Sequence, residues 1–219
     1  MLDFKDFKAM ISVTDGVNDR DFDPLVIDPE RLLVTDGRAL FVYKFSTGSS
    51  EKIGVSKEDY LSLRKVKGKN VYFNGGLRID GTEYKKSEKF FAFDSADRLL
   101  EGQKEKNRYR MPFSSLPENK CELVLINRYN ILYLAKDLSV LSSQPLELPE
   151  MESTPLGYFC ARNVYLRKIF KMFKYFKVQP EIRFGSNTLY FESPTIQGLL
   201  GMYVPWSFDN KDWKYVRGE

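Results

Sequence analysis

A chain of 219 residues has room for one large domain or two of roughly 100 residues each, and its 42% hydrophobic and 29% charged residues describe a globular protein rather than a disordered one. Histidine is absent, which excludes His-based triads, His metal ligands and His general acid–base chemistry. The formal net charge of +4 is too small to identify a partner, so the placement of the cations has to carry that argument.

Residues 3–13 set Phe4, Phe7, Met10 and Ile11 at helical spacing and turn Lys5 and Lys8 to another side, which predicts a first helix. Asp15-Gly16 and the acidic run through Asp23-Pro24 end it in a loop. Short strands are predicted at 25–27 and 31–35. Asp36-Gly37 then reads as a turn into the β-prone run 39–45. A loop at 46–50 precedes a strand near 53–55. Ser56 is a good N-cap with Asp59 three residues on, so a second helix should run to about Val66 and stop at Gly68. A hairpin follows, with strands at 70–74 and 77–80 around Gly75-Gly76. The polar stretch 94–110, with room for a short helix at 95–101, reads as a boundary that divides the chain into domains 1–95 and 96–219.

The second half repeats this order. Strands are expected at 122–126, 130–135 and 138–141, then a proline-bearing loop at 144–155 and a strand at 157–160. A strong helix should span 163 to about 176, followed by a hairpin of 181–184 and 188–192 and a last strand at 199–204 ended by Pro205. The run SKEDYLSLRK at 56–65 echoes ARNVYLRK at 161–168, and VYFNGGLRID at 71–80 echoes IRFGSNTLYFE at 182–192. These echoes predict an internal duplication with a period of roughly 105 residues.

The segment 163–177, NVYLRKIFKMFKYFK, is the most informative. At about 100° per residue, Arg167, Lys171 and Lys174 share a sector of roughly 60°, flanked by Lys168 and Lys177. Tyr165, Ile169, Met172, Phe173 and Phe176 gather opposite. An ordinary solvated face would mix in glutamates for i,i+4 pairs, and none occurs here. The helix at the equivalent place in the first half runs into Arg64, Lys65 and Lys67, a pattern that helix-dipole complementarity explains in part. Such faces bind backbone phosphates without reading bases. A membrane-surface helix would need the apolar face that the core of this half requires.

These features resemble the DNA sliding clamps of the bacterial polymerase β-subunit type. Leu33-Val34-Thr35-Asp36-Gly37-Arg38-Ala39-Leu40 looks like that family's strand–turn–strand pattern. The run from Phe159 to Trp206 is similar to the end of a clamp chain: a strand, a Tyr-Leu helix, a hairpin and a last strand closing on Val204-Pro205-Trp206. The resemblance implies an α+β fold of two clamp-like repeats, with antiparallel sheets outside and helices on one face. It implies a non-enzymatic processivity factor that holds double-stranded DNA through Lys5, Lys8, Arg64, Lys65, Lys67, Arg167, Lys168, Lys171, Lys174 and Lys177. It also implies an apolar pocket near Val204, Pro205 and Trp206 that docks a DNA polymerase or another clamp-binding protein. Bacterial clamps have three domains and close as dimers, so a two-domain chain should close as a homotrimer. A relative that uses the fold for protein interaction without encircling DNA is the alternative.

Other chemistry finds little support. Gly75-Gly76 and Gly185-Ser186-Asn187 are hairpin turns rather than phosphate cradles. The cluster Asp15, Asp19, Asp21 and Asp23 has Val26 where a calcium loop needs its twelfth-position carboxylate. Asp36 reads as a turn residue, no S-x-x-K occurs, and no cofactor is expected. Cys121 and Cys160 are widely spaced and should be buried thiols. With no apolar leader at 1–13 and no stretch of membrane-crossing length, the protein is expected in the cytoplasm.

Overall fold

The computed structural model describes residues 2–14, 22–87, 97, 98, 100, 101, 120–127, 129–145, 158–185, 187–201 and 203. Asp15, Asp19 and Asp21 of the acidic cluster, most of the expected boundary stretch 94–110 and of the expected loop 144–155, and the segment 204–219 lie outside them.

Helix α1 (Phe4–Ile11) starts where Asp3 accepts a hydrogen bond from the Lys5 amide, and it buries Phe4, Phe7, Met10 and Ile11, the residues set out by the helical spacing. Helix α2 (Lys57–Leu63) is capped as expected, with the Asp59 amide donating to Ser56 Oγ at 3.2 Å. It ends before Val66 because its last carbonyls are taken elsewhere. The Lys8 ammonium donates to Leu63 O and Val66 O, each at 2.9 Å, while Val66 N turns back three residues to Leu63 O. Helix α3 (Asn163–Tyr175) closes with Val178 N bonded to Phe173 O around Lys177, whose φ is +54°.

Among the described residues the strands form three antiparallel sheets. In the first, β1 (Leu2–Asp3) pairs with β6 (Asn70–Tyr72), which continues through β7 (Leu77–Ile79) to β8 (Thr82–Tyr84). In the second, β12 (Val140–Pro145), β11 (Asn130–Leu134), β10 (Leu123–Asn127) and β13 (Tyr158–Arg162) lie in that order. The third has eight strands: β14 (Glu181–Phe184), β15 (Thr188–Glu192) and β16 (Ile196–Gly201), then β4 (Ala39–Lys44), β3 (Arg31–Thr35), β2 (Leu25–Ile27), β5 (Ile53–Val55) and β9 (Lys86–Ser87). Pairing of β16 with β4, from Ile196 opposite Tyr43 to Leu200 opposite Ala39, joins strands from the two ends of the chain.

Several boundaries differ from the sequence reading. Strands β8 and β9 were not expected; Asp80 and Gly81, both at positive φ, make the two-residue turn into β8. Strand β12 runs on to Pro145, inside the expected loop, because it is an edge strand whose outer side needs no donor. Strand β16 begins at Ile196, where Ser193 bonds the Ile196 amide and starts the return toward β15.

Alternation sorts the third sheet's two faces. Leu32, Val34, Phe41, Tyr43, Phe191 and Leu200 point inward to one core shared with the buried sides of α1, α2 and α3. Leu33, Leu40, Val42, Tyr190 and Leu199 point outward and are covered by Leu100. Arg31 fastens that cover through paired hydrogen bonds to Asp97.

Buried hydroxyls satisfy the end of α1. Tyr60 donates to Ile11 O and meets Thr14 Oγ1, and Tyr43 donates to Met10 O. Tyr60→Phe removes the buried hydroxyl that serves Ile11 O and Thr14 Oγ1, so urea unfolding should show a loss of about 1–3 kcal/mol, whereas an unchanged midpoint would deny the bond any weight.

Both thiols are buried, as expected. Burial pushes the Cys160 thiol up to about 12. The folded chain therefore holds this proton more tightly than the unfolded one. Its contribution is complete below the ordinary thiol value of 9.0 and declines as pH rises beyond it. Native protein at pH 8 should leave Cys160 unlabelled by a thiol reagent until denaturant is added; rapid native labelling would contradict this burial.

Candidate nucleic-acid interface and docking groove

The three helices lie on the inner side of the sheets, each with its apolar side in the shared core. Tyr175 of α3 donates to Asp6 of α1 at 2.9 Å, and Lys8 of α1 reaches the end of α2. This chain of contacts places α1 between α2 and α3. The cations singled out in the sequence lie on these three helices or just beyond their ends. Lys5, Lys65, Lys67, Lys171, Lys174 and Lys177 are exposed, and Arg64, Arg167 and Lys168 are partly covered.

These cations are not equivalent. The ammonium of Lys8 is engaged with Leu63 O and Val66 O, and burial, followed by the nearby Arg64 charge, lowers its pKa. It acts as a clip between two helices as well as a charge. On α3, Arg167, Lys168 and Lys171 line a cleft of about 340 Å³ together with Cys121, Glu122, Asn163 and Val164. Arg167 Nε is shielded from solvent and has no hydrogen-bond acceptor among the described residues. The first turn of α3 contains no acidic residue, and the carboxylate that shares its cleft comes from Glu122.

A second concavity of about 200 Å³ sits where the two ends of the chain meet, at the β16–β4 junction. Gly37 and Arg38 come from the β3–β4 turn, Arg162 and Tyr165 from the start of α3, and Leu200, Gly201 and Tyr203 from the end of β16 and beyond. Asp36 shapes the turn: its Oδ1 accepts from the amides of Arg38 and Ala39, both at 3.0 Å, the structural role expected for it. Gly201 N bonds Arg38 O and Tyr203 N bonds Cys160 O, which holds the end of β16 and Tyr203 beside the groove. Val204, Pro205 and Trp206 themselves lie outside the described residues. Arg162 and Tyr203 were not singled out in the sequence as binding residues; the resemblance put the docking pocket at Val204, Pro205 and Trp206.

Three structures of clamps superpose on this arrangement. The β clamp of Helicobacter pylori bound to a DNA ligase peptide matches over 92% of this chain and 63% of its own, at 13% identity and a TM-score of 0.63. A DnaN sliding clamp of Bartonella birtlesii matches over 93% of this chain and 64% of its own, at 12% identity and a TM-score of 0.61. The polymerase sliding clamp of Pseudomonas aeruginosa matches over 93% and 66%, at 13% identity and a TM-score of 0.56.

The chain has the sliding-clamp fold.

It spans roughly two-thirds of the length of these clamps, between 63% and 66%. No protein-family model and no curated protein matches the sequence. At such low identity the clamp fold is carried by pattern rather than by particular residues: inward alternation on the sheets and an apolar stripe on each helix. No helix among the described residues is long and apolar enough to cross a membrane.

Proposed function

We propose that this chain is a sliding-clamp-like processivity factor that holds duplex DNA without reading its bases and recruits a polymerase or a related partner. The observation that carries the reading is the layer of three helices, in which α3 presents Arg167, Lys168, Lys171 and Lys174, followed by Lys177, with no acidic residue among them. Lys5, Arg64, Lys65 and Lys67 extend this layer, and Lys8 ties α1 to α2 within it. A cationic layer of this kind binds phosphates loosely and permits sliding. The work is topological and electrostatic rather than catalytic, and its place is the cytoplasm.

The division into domains 1–95 and 96–219 belongs to this proposal. So does closure by a second and third copy. Edge strand β12 has β11 on one side and no other partner among the described residues, and it exposes Val140 at 52% and Leu141 at 44%. Strand β8 is likewise an edge of its sheet among the described residues. Pairing β8 of one copy with β12 of the next, three times over, closes a six-domain ring. The groove beside Tyr203 is the proposed docking place for the partner protein, with Val204, Pro205 and Trp206 expected to contribute to it.

Light scattering behind a sizing column should give about three times the 25.6 kDa chain mass, and the protein should be retained on closed circular DNA and lost on linearising it. A stable monomer that leaves both DNA forms alike would overturn encirclement in favour of a clamp-fold interaction protein.

A further inference from the structure

We infer that the cleft of about 340 Å³ beside the first half of α3 takes a phosphate monoester in its doubly charged form, a terminal phosphoryl group rather than a run of backbone diesters. This rests on the reading of the helical layer as a surface for phosphates and adds that one place on it prefers a dianion. Arg167, Lys168 and Lys171 stand at positions i, i+1 and i+4 of one helix, and all three border the cleft. Arg167 is partly covered, and its Nε is shielded from solvent with no acceptor among the described residues. An N–H held away from water without an acceptor is costly, and a phosphate oxygen in the cleft supplies one. The planar guanidinium fork suits two oxygens of one phosphate, while the lysine ammonium groups serve the rest as point charges. Lys168 Nζ stands 5.9 Å from the centre of the Tyr165 ring, which steadies a flexible side chain at the cleft wall.

Charge selects the ligand. Among the described residues, three cations line the cleft against one carboxylate, Glu122, whose field also reaches Arg162 outside it. That excess of two positive charges matches a monoester dianion, whereas a diester or a carboxylate brings a single negative charge. No aromatic side chain lines the cleft among the described residues, so a base finds nothing to stack on. The volume falls at the lower end of small-ligand sites, which span about 300–1,000 Å³, and admits a phosphoryl group with its sugar. Lys174, one turn further along α3, does not line the cleft and belongs to the open cationic face.

The probes are two short fluorescein-labelled duplexes of one sequence, whose unlabelled 5′ end carries either a phosphate or a hydroxyl, together with ribose 5-phosphate. By anisotropy on the full chain at low salt and about pH 7.5, the phosphorylated duplex should bind about tenfold more tightly. A phosphate monoester takes up its second proton near about pH 6, and the chain has no histidine to titrate beside it. The gap should therefore shrink to about threefold at about pH 5.5. Arg167→Gln and Lys171→Gln should each weaken both duplexes and remove most of the gap, whereas Lys174→Gln should weaken both and keep it. Glu122→Gln should widen it, and circular dichroism checks that all four variants fold. Equilibrium dialysis of ribose 5-phosphate separates a free ester from the end of a nucleic acid. Closure of the gap by ribose 5-phosphate, with the hydroxyl duplex still bound, supports a site for monoesters of either origin. Binding of ribose 5-phosphate without a gap between the duplexes assigns the cleft to a free ester, and if neither duplex binds, the duplex reading falls as well. Equal affinity of the duplexes with no binding of ribose 5-phosphate overturns the monoester inference and leaves the duplex reading standing. Binding of none of the three overturns both. A gap that survives Arg167→Gln and Lys171→Gln overturns the cleft as its place.

Discussion

Reversing the three aligned charges on α3 with Arg167→Glu, Lys171→Glu and Lys174→Glu is expected to weaken duplex binding about a hundredfold at 50 mM salt and to lower the salt slope by about three. The size follows from counterion release, in which each phosphate neutralised contributes roughly one unit of slope. Because the contacts carry no base information, the loss should be the same for unrelated sequences of equal length. Lys171 and Lys174 are exposed, so replacing them perturbs little besides the field. Arg167 differs, since its Nε is shielded, and a glutamate there introduces a partly covered carboxylate. The double variant Lys171→Glu with Lys174→Glu therefore serves as the control and should retain the thermal midpoint while losing most of the affinity. Anisotropy titrations at several salt concentrations read both quantities. Duplex affinity that survives the triple change, in a protein that still folds, would remove the helical layer from any role in DNA binding.

The second large effect is expected at Gly198. It lies in β16 opposite Phe41 of β4 on one side and Phe191 of β15 on the other. The two phenyl rings meet with centroids 5.2 Å apart. A Cβ on residue 198 would stand 2.3 Å from Phe191 Cζ and 2.4 Å from Leu40 O. The ring could swing only into the packed core, and the carbonyl belongs to the junction itself. Gly198→Ala should therefore cost about 2–4 kcal/mol in urea unfolding, and more than is usual for a strand glycine, because the strain falls on the pairing that unites the two ends of the chain. Gly198→Val should separate the unfolding of the two parts into distinct steps. A cooperative transition at the wild-type midpoint for both variants would show that this close approach is not needed.

Much of the local structure was legible before the fold was known. The spacing of Phe4, Phe7, Met10 and Ile11 reports a helix because those residues must share one face, and all four are buried. Ser56 reports a helix start because its hydroxyl can replace a missing backbone acceptor, as it does for Asp59 N. The hairpin of β14 and β15 was read to the residue, since alternation and turn chemistry agree there. Misreadings arose where a partner strand decides. Lys86–Ser87 becomes β9 by pairing with β5, and nothing in two polar residues foretells it. Residues 142–145 are a strand because β11 offers its edge, against the local preference of a proline-bearing run. The end of α2 was placed too late because Lys8, far away in the chain, takes its terminal carbonyls.

The candidate sites divide in the same way. Periodicity alone put Arg167, Lys171 and Lys174 on one side of a helix, because about 3.6 residues per turn is a property of the backbone. The same reasoning could not bring α1, α2 and α3 side by side; the shared core and the Tyr175–Asp6 and Lys8–Leu63 contacts do that. Nor could it turn the Lys8 ammonium into a clip between helices. For the groove, the turn at Asp36-Gly37 was visible as local chemistry, whereas Arg162 and Tyr203 join Arg38 only through the pairing of β16 with β4. By itself the sequence determined which faces are greasy and which are charged, since that depends on neighbours within a few residues. The tertiary structure decided which faces meet, since that depends on contacts between residues more than a hundred positions apart, whose closure follows from packing the whole core.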